Sequence, residues 1–178
     1  MKTLVIHPAD KSTDFLKKIY EDIENKTVLT TNLDYETVAE ELQKPYDLII
    51  LCGHGWQGGL YDRINGFTAV NSRHAQYLKN KNVIGIWCNA DEYFRIFHVD
   101  GLFATGMFIS EMKEALDCDI LTTEKEIEES STIFANVMKT AMKTPEKIKE
   151  IITESYVAPH NPVVKVNRQF MNIDSWDD

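Results

Sequence analysis

No apolar run in this 178-residue chain approaches the roughly 20 residues that a membrane-spanning helix needs, so no such span is expected. Cysteine is scarce as well. Cys52, Cys88 and Cys118 form no CxxC pair, which counts against a disulfide framework or a cysteine-built zinc site and leaves reduced thiols. His7, His54, His74, His98 and His160 follow neither HExxH nor any paired spacing, so no metal and no cofactor are expected. His74 and His98 read as ordinary surface or half-buried side chains. Basic residues are outnumbered by acidic ones, 19 against 28, for a net charge of -9 without any local basic patch. Such a field repels phosphates and anionic lipid surfaces and attracts cationic peptides, so neither nucleic acid nor membrane is an expected partner. GxSxG is absent, which disfavours a serine α/β-hydrolase.

What is present is the composition of a soluble globular protein, 43% hydrophobic and 26% charged, long enough to bury a core as one domain over residues 1–178. Residues 2 to 7 are too short an apolar segment for a signal peptide and read as a first strand, in a protein expected to be cytoplasmic. Phe15, Leu16, Ile19, Tyr20 and Ile23 recur at helical spacing behind Ser12 or Thr13. Residues 27 to 30 suit a short strand, and Tyr35, Val38, Ala39 and Leu42 mark a helix that Pro45 stops. A strand at 48 to 52 follows, then a glycine-containing surface loop at 56 to 70, a helix at 71 to 80 and a strand at 83 to 87. Further strands are expected at 102 to 109, 120 to 122 and 163 to 166, the last at a sheet edge before an acidic tail. Helices are expected at 111 to 116 behind Ser110, at 124 to 142, and at 144 to 156 behind Thr144-Pro145.

Nearly all-apolar strands alternating with helices imply an α/β fold, a three-layer α/β/α sandwich with a mainly parallel sheet of about six strands and flavodoxin-like winding. Right-handed crossovers place the first and third strands side by side and set the strand that ends near Cys88 next to the one that ends near His54. The carboxyl ends of such strands are where ligands collect, and here they deliver an imidazole and a thiol, the base and nucleophile of a cysteine hydrolase.

Leu48-Ile49-Ile50-Leu51-Cys52-Gly53-His54-Gly55 followed, 34 residues after the histidine, by Cys88 at the end of Val83-Ile84-Gly85-Ile86-Trp87 resembles the caspase-like superfamily of caspases, metacaspases, gingipains, clostripain and separase. The resemblance implies a cysteine peptidase acting on a peptide or protein substrate, with His54 as general base and later acid, Cys88 as nucleophile, and the backbone N–H groups of Gly55 and Cys88 as the oxyanion site. It also places the primary pocket at Asp10 or Asp14 and at Asp91 or Glu92, whose carboxylates favour cleavage after arginine or lysine. Around the cysteine the chain departs from the family, with Ile86-Trp87 before it and Asn89-Ala90, rather than a glycine, after it.

That departure keeps a second reading open, a catalytically silent caspase-like interaction module. A third is a nucleophile-elbow cysteine hydrolase of the amidotransferase or DJ-1 type, against which His160-Asn161-Pro162 stands in place of a His-x-Glu. Gly53-His54-Gly55-Trp56-Gln57-Gly58 matches GxGxxG formally, but it follows the third strand and runs into a loop, which disfavours a dinucleotide.

Overall fold

The computed structural model describes residues 1–173. Eight strands run along them: β1 (Thr3–Ile6), β2 (Lys26–Leu29), β3 (Leu48–Cys52), β4 (His54–Trp56), β5 (Gly59–Asp62), β6 (Phe67–Val70), β7 (Val83–Ile86) and β8 (Phe103–Ala104). The helices are α1 (Lys17–Tyr20), preceded by a 3-10 segment at Lys11–Leu16, α2 (Tyr35–Gln43), α3 (Ala75–Leu78), α4 (Ala90–Phe97), α5 (Met112–Asp117), α6 (Glu124–Ala141), α7 (Ile148–Ser155) and α8 (Pro162–Phe170). None of these helices is long and apolar enough to cross a membrane. Two compact units emerge, residues 1–11 with 23–106, and residues 12–22 with the segment from 107 onward.

The first unit is α/β. Its five-stranded sheet is parallel throughout, in the order β2-β1-β3-β7-β8, so the winding reverses between β1 and β3 as the crossover rule requires. Leu4, Ile6, Ile49, Leu51 and Val83 share one face and join Val38, Leu42, Leu78 and Tyr93 in a single apolar cluster. Thr3, Val5, Leu48, Ile50, Ile84 and Ile86 alternate with them and are equally buried, which is why these strands carry no polar alternation. Asp34 caps α2 by accepting from the Thr37 N–H (3.0 Å), and Pro45 follows its end.

Three sequence expectations in this unit are corrected. Residues 56 to 70 are not a surface loop: β4, β5 and β6 form an antiparallel meander. Gly58 and Gly66 lie in its turns, and the short runs between them pair. Gly59 has φ 135, and a Cβ there would lie 1.8 Å from the Val70 carbonyl oxygen, while Asp62 closes the second turn by accepting from the Asn65 N–H (3.0 Å). The strand expected over 102 to 109 shrinks to β8 at the sheet edge. Beyond it the Gly106 carbonyl is taken by the Asn89 N–H (3.0 Å) and the Thr105 carbonyl by the Asp91 N–H (3.0 Å), so the chain leaves the ladder. The helix expected over 71 to 80 is the single turn α3, and His74 beside it is fully buried.

His74 accepts at Nδ1 from the Asn71 N–H (3.1 Å) and faces the Tyr35 carbonyl with Nε2 (3.3 Å), which fixes its hydrogen on Nε2. Burial, seconded by the charge of Arg73, holds its pKa below the ordinary histidine value against the opposing Tyr35 carbonyl. The unfolded chain therefore binds more protons than the folded one below about pH 6.5, and stability falls as the pH falls through that region. Thermal melts between pH 5 and 7 are expected to show a positive slope of Tm with pH that is shallower in His74→Leu. An unchanged slope would reject this assignment.

The second unit is helical. Phe134 of α6 stacks obliquely on Phe108 (4.6 Å between ring centres) and edge-on to Tyr156 (5.5 Å). Thr123 and Glu126 form a capping box at the start of α6, as a Thr-x-x-Glu spacing allows. Residues 163 to 166, expected as an edge strand, are instead helical. Asn161 accepts from the N–H groups of Val163 (2.9 Å) and Val164 (3.1 Å), and Pro162 occupies the first turn, so a strong start signal overrides the β-branched run. Residues 120 to 122 form no strand. The acidic tail lies outside the described residues.

Candidate active site

The register of β3 and β7 stops just short of the two candidate residues. Cys52 pairs with Ile86, the Gly53 N–H continues the ladder to the Ile86 carbonyl (3.0 Å), and His54 and Cys88 each stand two positions beyond the Cys52–Ile86 pair. Both therefore lie past the carboxyl edge of adjacent strands, next to the strand where winding reverses.

Trp87 ties the two strand ends together. Its indole is 1% exposed and donates from Nε1 to the Trp56 carbonyl (3.0 Å), which fastens β4 to the end of β7. The ring lies against Gly55 so closely that a Cβ there would come 2.1 Å from Trp87 Cδ1. The glycine after His54 is thus required by packing. Thr105, buried, accepts from the Trp87 N–H (3.1 Å) and donates its hydroxyl to the Trp87 carbonyl (2.8 Å), fixing the residue before Cys88 from the other side.

Asn89 follows the cysteine in the left-handed region, φ 65 and ψ 35, and α4 begins immediately after it. This is the backbone conformation a glycine adopts without strain, and asparagine is the side chain that tolerates it best. Cys88 is half-buried, whereas Cys52 is fully buried. Burial alone pushes the Cys52 thiol far above the ordinary range; burial together with Glu114, Asp117 and Asp119 raises that of Cys118.

Two charged side chains of its own unit lie against His54. Arg63 donates from Nη1 to His54 Nε2 (2.9 Å) and lies 3.5 Å, through Nε, from Asp10 Oδ2, which is itself 3.9 Å from His54 Nε2. A guanidinium has no acceptor, so in this contact Nε2 is the acceptor. Arg63 carried no signal along the sequence. Recognised as a hairpin, β4 and β5 pair His54 with Tyr61, which puts residue 63 on the histidine's face.

The four carboxylates read as a substrate pocket differ in their partners and burial. Asp10 is engaged by Arg63. Asp14 belongs to the second unit, where it is exposed and paired with Lys17 (2.6 Å). Asp91 and Glu92 open α4; Asp91 accepts from the Glu92 N–H (2.8 Å), and its pKa is raised chiefly by burial. Glu92 is exposed. No family model, no curated protein and no solved structure matches this chain.

Proposed function

We propose that the chain is a caspase-like cysteine peptidase in which Cys88 attacks the scissile carbonyl and His54 manages the proton. The observation that carries this reading is that His54 and Cys88 each follow, by two residues, the last paired position of the adjacent parallel strands β3 and β7. Arg63 gives up its contact with His54 Nε2, which frees that lone pair for the thiol proton; Cys88 forms a thioester as the C–N bond breaks, and the imidazolium returns the proton to the leaving amine. Water then releases the acyl group and regenerates the thiol. The imidazolium is repelled by Arg63 and attracted by Asp10, so in this scheme Asp10 is a positioning residue for His54. The backbone N–H groups of Gly55 and Cys88 serve as the oxyanion site, and the start of α4 favours the thiolate. Specificity for arginine or lysine at the cut rests on Asp91 and Glu92, the two pocket candidates on the element that follows Cys88.

Two coupled measurements test this. Iodoacetamide at neutral pH is expected to modify Cys88 about tenfold faster than Cys52 or Cys118, by mass spectrometry, and His54→Ala is expected to slow that reaction. A peptide panel varied only at the residue before the cut is expected to favour arginine and lysine, with the preference weakened in Asp91→Asn and Glu92→Gln. Equal reactivity of the three thiols and no cleavage of any peptide would replace the peptidase with the silent interaction module. Faster cleavage after aspartate would retain the dyad and remove the acidic pocket.

A further inference from the structure

The face of α6 that carries Glu124, Ile127, Glu128 and Ser131, at positions i, i+3, i+4 and i+7, borders a cavity of about 430 Å³ whose lining lies wholly within the second unit. Phe15 and Met112 supply apolar surface on other sides. The size is that of a small-ligand site. Two observations point to what fills it. Ser131 is only 6% exposed, yet its hydroxyl has no hydrogen-bond partner among the described residues. That hydroxyl is therefore open to accept from a donor group that enters the cavity. The carboxylates of Glu124 and Glu128 likewise have no ion pair or hydrogen bond among the described residues, so the rim carries two carboxylates on adjacent turns that are open to a cation, with Glu111 also in the lining.

We propose that this cavity binds an organic cation with an apolar stem, an ammonium or guanidinium group on a short hydrocarbon chain. The stem lies against Phe15, Met112 and Ile127; the head sits between Glu124 and Glu128 and donates to Ser131. The same chemistry is offered by a free diamine and by a lysine or arginine side chain of a polypeptide. Neither His54 nor Cys88 takes part, so the proposal stands apart from the peptidase reading.

The test is a titration of the full chain, followed by the amide resonances of residues 124 to 132, with cadaverine, a lysine-containing tripeptide amide, and 1-pentanol as the uncharged control. Both cations are expected to shift the same amides saturably, and 1-pentanol is not. Glu124→Gln and Glu128→Gln, both at exposed positions, are each expected to weaken binding about threefold. Ser131→Ala, which removes the acceptor offered to a charged donor, is expected to weaken it about tenfold. Tighter binding of cadaverine than of the tripeptide assigns the site to free amines, and the reverse order assigns it to a basic side chain. The proposal is overturned by no saturable shift with either cation, by equal binding of 1-pentanol, or by affinities that all three substitutions leave unchanged.

Discussion

Gly55→Ala is expected to destabilise the protein by about 3 kcal/mol, the range of severe overpacking in a close-packed core. The added methyl would stand 2.1 Å from Trp87 Cδ1 and 2.6 Å from the Gly59 carbonyl oxygen, and neither neighbour can yield easily. The indole is held by its hydrogen bond to Trp56, and the carbonyl belongs to the β5 backbone. Trp87→Val is expected to be costly alone, through the cavity it leaves and the loss of the Nε1 donor. In that background Gly55→Ala should cost less than in the unaltered chain, because the larger of the two collisions is gone. Urea unfolding of the four proteins measures this coupling. Equal costs in the two backgrounds would show that the Gly55–Trp87 contact is not the constraint on the strand carrying His54.

The second large effect is expected from Asn167→Leu. Asn167 is fully buried on α8, where its Oδ1 accepts from the Ile109 N–H (2.8 Å) and its Nδ2 donates to the Ile109 carbonyl (3.2 Å) and to the Tyr156 hydroxyl (3.1 Å). The Tyr156 and Ser130 hydroxyls are 2.7 Å apart, so one side chain completes a closed polar network. Burial pushes the Tyr156 phenol up to about 12, despite opposing hydrogen bonds from Ser130 and Asn167, and its hydrogen remains available to the network. Leucine leaves both backbone groups of Ile109 buried without partners, at about 1 to 3 kcal/mol each. A loss of about 4 kcal/mol in unfolding free energy is expected, against about 1 kcal/mol for Tyr156→Phe, which removes one shared hydroxyl. Similar losses for the two variants would show that Asn167 is not the centre of the network.

The parallel sheet was legible because its strands are buried on both faces and read as unbroken apolar runs from Leu48 to Cys52 and from Val83 to Ile86. The placement of His54 and Cys88 followed from where those runs stop. What the sequence concealed depends on partners distant along the chain. Trp87 reads as an ordinary apolar residue until Gly55 and Trp56 are opposite it, and Arg63 reads as a surface charge until β5 pairs with β4. Helix α8 was hidden for a different reason. Val163, Val164 and Val166 favour a strand locally, and only the three hydrogen-bonding atoms supplied by Asn161 and the two valine N–H groups decide for a helix. In the meander, turn residues outweighed the four-residue runs they separate.

The division of the chain between its units has a consequence during synthesis. Residues 12–22 leave the first unit to join the second, where α1 packs on α6 and Lys139 pairs with Glu21 (2.6 Å) and Asp22 (2.7 Å). Glu21 and Lys139 are 118 residues apart, so at about 5 to 20 residues per second the early segment waits on the order of ten seconds for its partner to be translated. Leu16, Ile19 and Tyr20, buried in the finished protein, are in contact with solvent, ribosome or chaperone throughout that interval.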